Sequence, residues 1–268
     1  MVTSYTRTRF GDTVLGDYSR RRDGTMKGSV FAQSMLERST AALGHPDFEE
    51  LAVGQRQTVP MVTMFLDLRD FTARTFWDPQ DEVVDLAHAV LAGFVETVLA
   101  HGGYPLGLRG DGLFAGFGPG TPEIAASMAL MAGAFALDAV REEVNPRLAN
   151  RDIAPVQARA GLDFGEITFV RTGTETASEI NPTGFAANFA AKCEKRARSW
   201  EIVVGERLAG LIADAPQLTR LDRPKEYTRN YITKRYFFYD YNWAGTLRHA
   251  PEALEELGGR PVSSIAIG

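Results

Sequence analysis

The 268-residue sequence holds one cysteine, Cys193, and only four histidines. A single thiol excludes an internal disulfide framework and a cysteine-rich metal cluster. His88 and His101 straddle the end of a helical pattern without a third ligand, and His45 and His249 sit near the extremes, so zinc is not expected. No uninterrupted run of eighteen apolar residues marks a membrane span, and no internal repeat or low-complexity tract occurs. Positive charge is not in excess: 29 Lys and Arg stand against 34 Asp and Glu, a formal net charge of -5. The chain as a whole therefore does not attract a nucleic-acid backbone, and any nucleotide must be met by a local site. With no apolar leader at its start, the chain is expected to be cytoplasmic, with no stable membrane association.

What is present is a globular composition, 44% hydrophobic and 24% charged, sufficient for one large domain or one ordinary domain with an appendage. Residues 1–58 read as an N-terminal arm, turn-rich and basic at Arg20, Arg21 and Arg22, with a short helical pattern over 29–42. The arginine run is either solvated surface or a phosphate contact. Residues 59–245 carry the regular patterning, and 246–268 form a tail.

Pro60 onward reads as a β-branched strand that ends at Asp67. Val83, Leu86, Val90, Phe94 and Val98 recur at steps of three or four, which predicts a helix over 78–99. Two short strands about Arg109-Gly110-Asp111-Gly112 follow, with Asp-Gly favouring the turn, and then a helix opened by Thr121-Pro122-Glu123. The stretch 156–169 suggests a strand, a turn at Phe164-Gly165-Glu166 and another strand. A helix over 185–196, a strand over 201–204, a helix over 206–213 and aromatic strands over 227–243 complete the order. That order predicts an α+β, ferredoxin-like antiparallel sheet with helices packed on one face, enlarged at its C-terminal side. A doubly wound fold is disfavoured, because the hairpin interrupts the βαβ succession and no glycine fingerprint follows the first strand.

Asp67 falls at the end of the first strand and Asp111 in the tight turn between the next two, strands that this topology makes neighbours of the first. Close carboxylates repel unless a cation compensates, and a divalent metal does so while binding phosphate oxygens; either acid alone could equally be a turn former. At this point the residues resemble the class III nucleotidyl cyclase catalytic domain. The likeness rests on Phe65-Leu66-Asp67-Leu68-Arg69-Asp70-Phe71-Thr72, on Leu108-Arg109-Gly110-Asp111-Gly112-Leu113-Phe114, on Arg159-Ala160-Gly161-Leu162-Asp163-Phe164-Gly165-Glu166 and on Ala187-Asn188-Phe189-Ala190-Ala191-Lys192.

The resemblance implies that Asp67, Asp111 and the Leu68 carbonyl hold two Mg²⁺ or Mn²⁺ ions. It implies nucleotide contacts from Phe65, Leu68 and the main chain of Asp70, Phe71 and Thr72, ribose orientation by Asn188, and a cation at the α-phosphate from Lys192, where the family usually has arginine. It also implies a homodimer with shared active sites. The positions that commonly read a purine are here Gly107 and Asn181, with no side chain and a neutral amide respectively. The pattern is thus similar to the bacterial pyrimidine cyclases of antiphage defence, whose cyclic product is read by a separate effector protein. UTP is the expected substrate and CTP the alternative; a purine cyclase, an inactive cyclase-like module and a polymerase-related domain rank below. Tyr104 is a candidate base contact or a core aromatic. Arg69 and Arg109 either neutralise phosphate or form surface ion pairs.

Overall fold

The computed structural model describes residues 5–24, 43–212 and 217–265. The helical pattern expected over 29–42 lies outside them.

The chain runs α1 (Arg7–Arg22), β1 (Arg56–Arg69), α2 (Phe71–Trp77), α3 (Gln80–Ala100), β2 (Tyr104–Arg109), β3 (Gly112–Phe117) and α4 (Pro122–Ala139). A π-helical turn over Val140–Val144 leads into α5 (Asn145–Ala149). The second half comprises β4 (Gln157–Gly173), β5 (Ser178–Thr183), α6 (Phe185–Arg196), β6 (Ile202–Gly205), α7 (Glu206–Leu211), β7 (Leu218–Arg220), β8 (Lys225–Arg229), β9 (Ile232–Tyr236), β10 (Phe238–Tyr241) and α8 (Ala250–Leu257).

The main sheet has the order β2-β3-β1-β4-β6-β10-β7, with β5 paired to the far end of β4; β8 and β9 form a separate ribbon. All pairings in the main sheet are antiparallel except β4 with β6, which α6 joins as a crossover. Thus the antiparallel α+β expectation holds with one parallel pair. The helices do not all lie on one face, however. Even-numbered residues of β1, such as Met64 and Leu66, share one core with α1, α3 and α4, whereas the odd face of β4 takes α6 so closely that a Cβ on Gly161 would lie 2.0 Å from Glu194 N.

Two local readings need correction. The start of the arm is not turn-rich, because α1 is a continuous helix that runs through Gly11 and Gly16 and buries Phe10, Val14 and Leu15. Gly93 of α3 makes room for it: a Cβ there would meet Phe10 at 2.8 Å and Val14 at 2.9 Å. Nor does the chain turn at Phe164-Gly165-Glu166. β4 pairs with β1 without a break from Gln157 to Val170, and this long ladder overrides the local glycine signal.

The apolar length of α3 and of Pro122–Ala149 would by composition suffice to cross a membrane, but 83% of the apolar window in the latter is buried within the fold. Cys193 is sealed beside Phe189, Val203 and Phe238. The tail packs as well: Val262 is buried, and its N–H donates to Gly102 O at 2.9 Å.

Candidate active site

Asp67 lies two residues inside the C-terminal end of β1, opposite Gly112 on β3 and opposite Arg159 on β4. Gly110 takes the left-handed conformation (φ 65°) at the first position of the two-residue β2–β3 loop, where a side chain would be strained. That loop places Asp111 beside β1, so that Leu68 N–H donates to Asp111 O at 3.3 Å. Asp111 and Asp67 are therefore neighbours, close enough for their charges to interact. Burial, and after it the charge of Asp67, pushes the Asp111 carboxyl above its usual range. Gly112 keeps the approach open, since a Cβ there would be 3.1 Å from Asp67 Oδ1.

The residues fit a divalent cation in charge and in chemistry: two oxygen-donor carboxylates whose mutual repulsion a cation would relieve. No group of three or more His, Cys, Asp or Glu side chains forms a complete metal cage among the described residues. Any remaining oxygen ligands would come from the main chain, the substrate or water.

Arg159 and Glu194 were not singled out as functional by the sequence. Arg159 Nε and Nη2 both donate to Asp67 Oδ2, at 3.0 and 2.8 Å. The same Nη2 lies 2.5 Å from Glu194 Oε1 on α6, an ionic contact without an aligned hydrogen bond. Burial first and the Asp67 charge second push the Glu194 carboxyl up to about 7, with Arg159 opposing them. The available signal was register: once β1 and β4 pair through Asp67 and Arg159, the two side chains share a face.

The Asp70 main chain is left-handed (φ 57°), and no side chain caps the start of α2. The Asp70, Phe71 and Thr72 N–H groups thus stand at an uncapped helix start next to the acids. Phe71 is buried, and Leu68 is almost wholly so, which leaves only main-chain atoms of Leu68 to face a ligand. Phe65 stacks on Phe114 with ring centroids 4.7 Å apart. Arg69 Nε sits 3.4 Å from Asp70 Oδ2, while Arg109 Nη1 donates to Leu108 O at 3.0 Å.

The other expected site residues are not brought to these acids. Asn188 is exposed on α6, and Lys192 Nζ lies 3.4 Å from Asn188 O. At about 100° per residue, both point roughly 120–160° away from Glu194 on the same helix. Asn181 is exposed on β5 opposite Val170, eleven residues along β4 from Arg159 and so about 36 Å away. Tyr104 starts β2, at the far end from Asp111; its hydroxyl is 2.6 Å from Ser263 Oγ and its ring centroid 3.9 Å from that of His45.

Comparison with known proteins shows what this fold is similar to. No family model matches the chain. The adenylyl cyclase CyaB from P. aeruginosa superposes with a TM-score of 0.60 at 20% identity, over 70% of this chain and 95% of that one. The guanylyl cyclase Cya2 does so with a TM-score of 0.58 at 20% identity, over 71% and 94%. The chain has the fold of the class III nucleotidyl cyclases. In sequence it is similar to an Escherichia coli protein named cytidylate cyclase, 28% identical over 193 residues, 69% of this chain and 41% of that protein. The chain thus spans about two fifths of that relative's length.

Proposed function

We propose that the chain cyclises a pyrimidine nucleoside triphosphate to the 3′,5′-cyclic monophosphate with release of diphosphate, in sites formed by two copies. The observation that carries this reading is the meeting of Asp67 and Asp111 beside an uncapped run of main-chain N–H groups on the class III cyclase fold. Bound divalent metal, Mg²⁺ or Mn²⁺, would supply Lewis-acid activation of the 3′-hydroxyl and charge neutralisation on the triphosphate. Asp67 and Asp111 would hold it, together with the Leu68 carbonyl. The N–H groups of Asp70, Phe71 and Thr72 would receive the terminal phosphates. Lys192 would stabilise charge developing at the α-phosphate while Asn188 orients the ribose.

Two copies are supported by α6, which turns Asn188 and Lys192 away from its own Asp67, as the opposite face of that helix grips the same carboxylate through Arg159. A second chain would bring them. Mixing Asp67→Asn chains with Lys192→Ala chains tests this: a hybrid pair has one intact site, so activity should partly return, and no recovery despite proven subunit exchange would refute the shared site.

For the base, Gly107 offers no side chain and Asn181 offers an amide that can rotate to suit uracil or cytosine. The name of the Escherichia coli relative moves the weight from UTP toward CTP. The product would act as a signal read by a separate effector, as in the antiphage systems that the sequence resembles. The test is a competition of all four ribonucleoside triphosphates at equal concentration with Mn²⁺, products being separated by mass. Cyclic CMP should dominate; cyclic UMP would move the choice within the pyrimidines, and cyclic AMP or cyclic GMP would overturn the pyrimidine reading.

A further inference from the structure

The β8–β9 ribbon stands off the main sheet, and every residue of β8 is exposed. Its two-residue turn is Asn230-Tyr231, both with positive φ (49° and 64°). Such turns favour Asn followed by Gly. A tyrosine is a costly choice at the second position, and this one is fully exposed, with Ile232 beside it 64% exposed. Between Arg220 and Tyr236, six Lys and Arg stand against two acids, although the chain as a whole is acidic. The structure thus presents an apolar tip on a basic stem, held in an unfavourable backbone conformation.

A surface of complementary character lies on α2. Phe76 and Trp77 are 78% and 81% exposed and pack edge-to-face at 4.9 Å. Between Asp70 and Asp85 five acids stand against the single Arg74. Arg22 bridges Asp81, Glu82 and Asp85, which lowers the negative excess there without removing it.

Placement joins the two. The ribbon is rooted on α6: Tyr236 packs on Phe185 and Phe189 with centroids 4.9 and 4.4 Å apart. The ribbon therefore travels with the helix that bears Asn188 and Lys192. On the receiving side, Phe71 and Thr75 of α2 line one pocket of about 270 Å³ with Asp111, and Phe76 and Trp77 end that same helix. Five residues per strand give the ribbon a reach of about 17 Å, more than the roughly 9 Å from Phe71 to Trp77 along α2.

We propose that the β8–β9 ribbon is an arm that clasps a second copy of this chain, seating Tyr231 and Ile232 on the Phe76–Trp77 pair of that copy's α2. The proposal rests on the two-copy site above and specifies which surfaces hold the copies together.

Cysteine pairing tests it, because the one native thiol, Cys193, is buried. Tyr231→Cys chains are mixed with Trp77→Cys chains and treated with a short bis-maleimide. A covalent dimer should form in the mixture, and far less in a control that pairs Tyr231→Cys with Leu99→Cys, a 52% exposed position on α3. The Tyr231→Ala/Ile232→Ala variant should weaken dimerisation about tenfold in sedimentation, as loss of interface anchors does. Recovery of activity in the Asp67→Asn plus Lys192→Ala mixture, with no selective cross-link and an unchanged dimer constant, would overturn the arm and leave the shared site standing. A chain that sediments as a monomer and shows no recovery would overturn both. Cross-linking within one Tyr231→Cys/Trp77→Cys chain, in place of between chains, would also overturn the arm.

Discussion

Arg159 Nη2 lies 2.8 Å from Asp67 Oδ2 and 2.5 Å from Glu194 Oε1, so one guanidinium ties a candidate metal ligand on β1 to the helix that carries Asn188 and Lys192. Breaking a partly buried arrangement of this kind costs more than its net contribution, because the groups left behind lose their partner. Arg159→Leu should lower stability by about 3 kcal/mol, since it leaves two facing carboxylates. Glu194→Gln should cost much less, because the glutamate is already pushed toward neutrality. Denaturant unfolding of both variants checks the order; equal losses would contradict it.

Asp111→Asn and Asp67→Asn should each lower the cyclisation rate by about 100-fold or more under saturating Mn²⁺. Their effects on the fold should differ. Burial and the Asp67 charge both disfavour the Asp111 carboxylate, so Asp111→Asn should leave the melting temperature unchanged or raised. Asp67→Asn removes two charge-assisted hydrogen bonds from Arg159 and should cost about 1–3 kcal/mol. Calorimetry beside product assays separates the two; wild-type rates in either folded variant would rule out the two-acid site.

Stability should stay nearly level between about pH 4 and 6.5, where two buried groups pull in opposite directions. Asp163 is buried on β4, accepts from Tyr236 Oη at 3.0 Å, and is pushed up to about 7 chiefly by burial. Because its folded value lies above its unfolded one, its contribution is complete below about pH 4 and is lost as pH rises to 7. Buried His101 is pushed down to about 4. Its contribution is present above about pH 6.5 and is lost as pH falls toward 4. Asp163→Asn should leave the His101 contribution uncompensated, so that stability rises from about pH 4 to 6.5; unfolding measured from pH 4 to 9 would reveal no such change if Asp163 ionised freely.

Lys192→Ala should reduce kcat by about 100-fold with little change in dimerisation, as for loss of a transition-state charge contact. Lys192→Arg should retain part of the rate, because charge survives while reach and fork geometry change. A pre-steady-state burst unaltered by Lys192→Ala would place the lysine outside the chemical step.

The sequence was most legible where a local pattern and the final contacts agree. Phe185–Arg196 folds as the helix its spacing predicts, and the Asp67–Asp111 meeting follows from strand order. It was least legible where partners lie far apart in the chain. Arg159 stands 92 residues from Asp67, and the Tyr104 hydroxyl finds Ser263 across 159 residues, contacts that no local period encodes. α1 was hidden for another reason: its glycines and arginines read as a turn-rich surface until α3 supplies Gly93 as the seat for Phe10 and Val14.

The seclusion of Cys193 makes the molecule blind to oxidants through its thiol. Burial raises that thiol well above its ordinary value, while the Phe189, Val203 and Phe238 side chains close over it. Peroxide acts on an accessible thiolate, and this sulfur is neither. Although it adjoins Lys192, it cannot serve as a sulfenate switch on the neighbouring helix face, and the folded protein should keep its full thiol count in a peroxide challenge until it unfolds.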